Sequence, residues 1–189
     1  DNAKATRTTQ VLLSAEKPYT GEAGWSASFA YTYSRAKERL EFNGDYQLDY
    51  AFPYYSPYVL SSRLPRHRLV AIGSFDAPWG INIGAKMVVE TPKPLTAFDG
   101  IGTEPPNGLN YNFLKISQYP DRTIGYFSLD LQVSKSFEFF NDSALQVRVD
   151  VLNATNRKNY AILFDGFPNK PFYFTDGDLQ GVPRTVRLG

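Results

Sequence analysis

The 189-residue chain is predicted to be all-β, a series of long antiparallel strands, and three observations predict it. The first is alternation. Trp25, Ala27, Phe29, Tyr31 and Tyr33 interleave with Ser26, Ser28, Ala30, Thr32 and Ser34, so an extended strand puts aromatic bulk on one face and small, mostly hydroxylic residues on the other. A helix would scatter both sets. The second is length. The alternating segments run to about ten residues, where soluble strands average about five or six. At about 3.3 Å per residue and a tilt of about 40°, such a segment covers the ~25 Å apolar band of a membrane-spanning barrel. The third is the order of the connections, which run short, long, short, long, short, long, as in barrels with tight turns on one side of the membrane and long loops on the other. An antiparallel transmembrane β-barrel is the expected architecture. The alternative is a soluble sandwich, in which the aromatic face packs a core against a second sheet.

Composition narrows the function classes. Twenty basic residues against 19 acidic ones, with a net charge of +1 and no run of either sign, leave no electrostatic footprint for nucleic acid. Aromatics reach 15%, with 13 Tyr and 14 Phe, which favours strands and membrane interfaces. No stretch approaches the roughly 18 to 20 apolar residues of a membrane-spanning helix, and none has the basic-then-apolar pattern of a signal peptide, so a membrane role requires strands. The absence of cysteine removes disulfides, thiolate metal sites and thiol nucleophiles.

Taken in order, the first strand is expected over 6–17, where Thr9, Val11, Leu13 and Ala15 alternate with polar neighbours and Leu12 is the misfit. A short connection with two glycines leads into the second, over 25–36. The stretch 37–64 is long, charged and tyrosine-rich, and Pro53 and Pro57 break any regular ladder, so it reads as one long loop, open to extensions of the neighbouring strands. The third strand is expected over 66–75. Asp76-Ala77-Pro78-Trp79-Gly80 reverses the chain. The fourth, 81–91, sets Ile81, Ile83, Ala85, Met87 and Val89 against Asn82, Gly84, Lys86, Val88 and Glu90. A second long loop, 92–121, holds five prolines and two turn pairs. The fifth strand, 123–135, and the sixth, 144–153, alternate cleanly. A third long segment, 157–182, precedes a seventh strand over 183–189.

Candidate functional residues follow from these faces. Lys86, Glu90, Asp130, Arg148 and Asp150 fall on the polar faces, which in a barrel point to the lumen and there pair across strands, touch a plug or contact a passing substrate. Tyr46, Tyr50, Tyr54, Tyr55 and Tyr58, with Phe52, crowd the first long loop. Flat aromatic area on a loop suits sugar or peptide recognition, and equally a loop packed on itself. Asn153 and Asn156 suit a strand end, because Asn bonds local backbone and accepts left-handed conformations. His67, the only histidine, would need Ser62 or Ser74 and an orienting acid to be catalytic, and nothing in the pattern marks them. Asp176-Gly177-Asp178 lacks the further ligands of a calcium loop and reads as a turn. No catalytic set, metal site or cofactor is predicted.

Three segments carry a resemblance: Ser128-Leu-Asp-Leu-Gln-Val-Ser-Lys-Ser-Phe137, Leu145-Gln-Val-Arg-Val-Asp-Val-Leu-Asn-Ala-Thr-Asn156, and Gly181-Val-Pro-Arg-Thr-Val-Arg-Leu-Gly189. With Leu69 to Gly80, which ends in Pro-Trp-Gly, and Trp25 to Ala36, which contains Tyr-Thr-Tyr-Ser, they resemble the carboxy-terminal barrel of TonB-dependent outer-membrane receptors. The likeness is to the Oar-like group, whose amino-terminal region holds a carboxypeptidase-regulatory-like domain. It spans nearly the whole chain through the order and spacing of weak motifs, and Asn153 and Asn156 match a recurrent Asn-x-x-Asn of the group.

The resemblance implies about the last seven strands of a 22-stranded barrel in the bacterial outer membrane, surrounding a plug and importing a large nutrient. The partners it implies are outer-membrane lipid, upstream strands and plug, and a TonB system engaged through an amino-terminal region with no counterpart here. The family's last strand ends in an aromatic residue, whereas this chain ends at Gly189. An odd strand count and that ending lead to the expectation of a segment of a longer polypeptide. The functional alternative is a structural barrel that anchors a surface lipoprotein or assembly without import.

Overall fold

The computed structural model describes residues 5–39, 58–61, 63–99, 114–118, 123–139, 143–160 and 179–189. Alternation along the chain becomes a single antiparallel meander. Its strands are β1 (Ala5–Thr20), β2 (Trp25–Arg39), β4 (His67–Ala77), β5 (Ile81–Glu90), β8 (Tyr126–Phe139), β9 (Ser143–Leu152) and β10 (Thr185–Leu188), hydrogen-bonded in that order. A two-residue strand, β3 (Val59–Leu60), pairs with the far end of β2. A separate hairpin joins β6 (Leu95–Asp99) to β7 (Leu114–Gln118). There is no α-helix among the described residues.

Strand bounds differ from the sequence pattern where backbone pairing outlasts side-chain alternation. β1 and β2 run on to Thr20 and Arg39, pairing Ala5 with Arg39 and Arg7 with Lys37, because ladder hydrogen bonds need no apolar side chain. Part of the 37–64 loop is therefore strand, and Lys37 also faces Leu60. The 92–121 loop contains the β6–β7 hairpin, whose paired residues lie between its prolines rather than across them. β8 begins at Tyr126 and extends to Phe139, later at both ends than 123–135. Just before it, Gly125 donates its N–H to Glu90 O at 2.8 Å and crosses so near Pro92 that a Cβ there would lie 2.5 Å from Pro92 Cα. The turn after β4, Pro78–Gly80, is tight and places Trp79 at φ 65° and Gly80 at φ 70°, both in the left-handed region.

Register sorts the two faces along most rows, with Leu12, Val70, Ile72 and Val88 as apolar residues on the otherwise polar face. Trp25, Phe75, Ile83, Val133 and Val149 stand directly across from one another on five strands, and so do Phe29, Ala71, Met87 and Leu129 on four. On the other face the rows read Ser26, Ser74, Gly84, Gln132, Asp150, and Thr32, Arg68, Glu90, Tyr126. Burial runs opposite to that of a soluble sheet. Among the described residues of the sheet strands the only buried apolar side chain is Ala36, while Ser34, Glu38, Ser128 and Ser134 are buried and Phe29, Phe75, Leu131 and Val147 are exposed. Among the described residues β1 pairs only with β2 and β10 only with β9, so the sheet has two free edges.

Candidate functional site

All five polar candidates lie on one face. Lys86 stands directly across from Asp130, and Gln132 from Asp150. Lys86, Asp130, Gln132 and Asp150 share the lining of a shallow open hollow of about 360 Å³ with apolar residues, Ile72 and Leu152 among them. Most of the charge there is already matched. Arg148 Nη2 lies 2.9 Å from Asp150 Oδ2 on the same strand, and Arg68 Nε lies 2.9 Å from Glu90 Oε1 across the β4–β5 ladder. Asp130 Oδ1 accepts hydrogen bonds from Ser128 Oγ at 3.0 Å and from the backbone N–H of Asn153 at 2.9 Å. Sequence spacing aligned Glu90 with Lys86 on one strand. The partner that register supplies is Arg68, which spacing alone does not identify. Lys86 is exposed on the rim of the hollow. Such a surface, polar and mostly self-neutralised, suits water or another protein surface sliding past it. Among the described residues no group of three His, Cys, Asp or Glu is placed to hold a metal ion.

Asn153 and Asn156 sit where β9 ends, with φ 47° and 53°, in the left-handed region that Asn tolerates. Asn153 is buried. Its Nδ2 donates to Arg157 O at 3.0 Å and to Val182 O at 3.1 Å, and its Oδ1 accepts from Arg157 N at 3.2 Å. Asn156 Oδ1 accepts from Arg184 N at 3.4 Å. The two residues thus tie the end of β9 to the segment entering β10. Asn159, which no sequence signal marked, completes the clasp by bonding both backbone groups of Phe127.

Of the loop tyrosines, Tyr58 lies beside the Arg7 guanidinium, 4.4 Å from its ring centroid. Tyr46, Tyr50, Tyr54 and Tyr55 lie outside the described residues, as do Phe52, Ser62 and Asp176 to Asp178. His67 is on the apolar face, its Nδ1 2.7 Å from Tyr31 Oη and its ring 5.4 Å from that of Tyr33. Ser74 is on the opposite face, bonded to Ser26 Oγ at 2.8 Å, so the two do not form a catalytic pair.

The apolar face has defined margins. On the side of the short turns they are lysines. Lys17 Nζ sits 3.9 Å from the Trp25 ring and donates to Trp25 O, and Lys135 lies 5.1 Å from the Phe137 ring. The lysine margin is slanted. Following the ladder from Lys17 through Ala27, Gly73 and Ala85 leads to Leu131, and Lys135 is four residues further along β8. On the other side β2 passes from Phe29 through Tyr31 and Tyr33 to Arg35 and Lys37. Compared with known proteins, the chain matches no family model, no curated protein and no solved structure.

Proposed function

We propose that this chain forms part of the wall and the long loops of an antiparallel transmembrane β-barrel in a bacterial outer membrane, within a TonB-dependent receptor that imports a large nutrient. The observation that carries the reading is the inverted burial of the sheet. Aromatic and aliphatic rows, exposed at Phe29, Phe75, Val133 and Val147, run uncharged between cationic margins on one face, and small or charged polar residues predominate on the other, interrupted by Leu12, Val70, Ile72 and Val88. In water that arrangement leaves an apolar surface uncovered. In a bilayer it is the expected state of a barrel wall.

The slant of the lysine margin supports the same reading. Four residues at about 3.3 Å, gained over four strand spacings of about 4.8 Å, make an angle of about 35°, within the roughly 35–45° tilt of such strands. Closure requires further strands at the free edges of β1 and β10, since unpaired backbone groups in hydrocarbon each cost several kcal/mol. The hollow beside Lys86, Asp130 and Asp150 then faces the lumen. The receptor assignment rests on the resemblance of the strand motifs to the Oar-like group, and the long loops would supply selectivity.

The cysteine-free sequence makes the test direct. Single cysteines introduced in turn from 145 to 150, spin-labelled in vesicles, should show oxygen accessibility peaking at Leu145, Val147 and Val149, and aqueous nickel-chelate accessibility peaking between them. A sandwich would instead shield Leu145, Val147 and Val149 from both reagents. Import is tested by cross-linking the native polypeptide to TonB in cells. A polypeptide that inserts as a barrel but makes no TonB contact would be an anchoring barrel.

A further inference from the structure

Beyond the loop-side margin of the apolar face, three cations gather. Arg7 on β1 stands directly across from Lys37 on β2, and Arg35 lies two residues before Lys37, across from Thr9. All three share the face that carries Val11, Tyr31, Tyr33 and Phe29. Arg7 and Arg35 are exposed and Lys37 is half-buried. Among the described residues none of them pairs with a carboxylate. The nearest acid along the chain, Glu38, is turned to the other face, buried beside Ser61 Oγ at 3.1 Å and Arg63 at 3.9 Å. Like charges placed directly across a ladder destabilise it, so the cluster calls for an anion that the described fold does not supply.

The position of the cluster says which anion. Along β2 the face changes from Phe29 to the hydroxyl-bearing Tyr31 and Tyr33, then to Arg35 and Lys37, in steps of two residues, or about 7 Å. Hydrocarbon, then interfacial aromatic, then cation is the depth profile of a bilayer leaflet read outward from its core. The lysines at the other margin lie against rings of their own face, Trp25 and Phe137. Among the described residues of these two margins, only the loop side presents guanidinium groups in a cluster, and guanidinium matches phosphate geometry with two parallel hydrogen bonds.

We propose that Arg7, Arg35 and Lys37 form a docking site for the phosphate of a membrane-lipid headgroup in the leaflet on the long-loop side. The proposal rests on the barrel-wall reading above. Tyr58 against Arg7 holds one guanidinium at the site and links it to the first long loop, so an occupied site would brace that loop's base.

The test uses the polypeptide that natively carries this chain, released from mixed micelles for native mass spectrometry with phosphatidylglycerol or phosphatidylcholine of matched acyl chains. The native protein should retain phosphatidylglycerol preferentially. Arg7→Ser/Arg35→Ser/Lys37→Ser should weaken that retention by roughly one hundred-fold, at about a kcal/mol per cation near a membrane surface. This variant removes like-charge repulsion and should fold at least as well. Lys17→Ser/Lys135→Ser, at the other margin, should leave the preference intact. Equal retention of both lipids by the native protein, an undiminished preference in the triple variant, or full displacement by inorganic phosphate would overturn the proposal. An acidic residue supplied by a strand closing against β1 would produce the first of these results. A chain that inserts into vesicles yet shows no preference fails this proposal alone, whereas one that does not insert fails the barrel reading too.

Discussion

Asn159 stands in for a strand beside Phe127: its Oδ1 accepts the Phe127 N–H at 2.9 Å and its Nδ2 donates to Phe127 O at 2.9 Å. β9 leaves β8 at Leu152, and Ala154 N bonds Leu129 O as the chain turns away. Phe127 would then lose its ladder partner on that side. A buried side-chain amide, which offers the same donor and acceptor as a peptide, fills the gap. Asn159→Ala should cost roughly 1–3 kcal/mol locally and speed amide exchange at Phe127 while leaving Leu131, paired by β5 and β9, unchanged. Unaltered exchange at Phe127 would show that the amide is not needed.

Asn153 combines a left-handed backbone with a side chain bonded to Arg157 and Val182. The two contributions separate by substitution. Asn153→Gly keeps the conformation and loses the bonds, at a cost of about 1–3 kcal/mol, and Asn153→Leu adds about 1–2 kcal/mol for the left-handed backbone. The loss should be read at β10, as faster exchange over Thr185–Leu188 in the order Leu, then Gly, then native.

Gly125 and Gly84 predict opposite outcomes from the same change. Gly125→Ala places a Cβ 2.5 Å from Pro92 Cα, where backbone must move, and should lower the unfolding midpoint by an amount equivalent to about 1–3 kcal/mol. Gly84→Ala meets nothing nearer than Gln132 Cβ at 3.7 Å and should stay within about 0.5 kcal/mol of native. Equal effects would mean that the β5-to-β8 crossing is not as tight as the structure has it.

Val149 and Gln146, three residues apart on β9, lie on opposite faces. In a bilayer, Val149→Arg near the midplane should cost about 2–4 kcal/mol in urea unfolding from vesicles, and Gln146→Arg little. Similar costs at the two sites would count against the membrane reading.

Much of the fold is legible in the chain, because alternation with period two is a local property of extended backbone. Trp25 to Ser34 and Leu145 to Val151 declare their faces without reference to any partner, and the turn at Pro78-Trp79-Gly80 is written in its own residues. The β6–β7 hairpin was not legible. Its strands are five residues each and lie between prolines, so neither periodicity nor length separates them from loop. Asn159 was invisible for a related reason: its partner, Phe127, is 32 residues away, and nothing local marks an amide that will replace a ladder.

The sequence by itself determined which residues share a face within each strand, and hence that one side of the sheet would be mainly aromatic and aliphatic and the other mainly small and polar, with Leu12, Val70, Ile72 and Val88 as the departures. Tertiary structure decided who meets whom. Sliding a strand by two residues keeps every side chain on its face and changes every neighbour, so local pattern is silent about such shifts. Only the β4–β5 register brings Arg68 to Glu90, and only the β2–β4 register brings His67 within reach of Tyr31. The same holds for the cationic cluster: Arg7 and Lys37 are 30 residues apart in sequence, and a β1–β2 register shifted by a few residues would have scattered them.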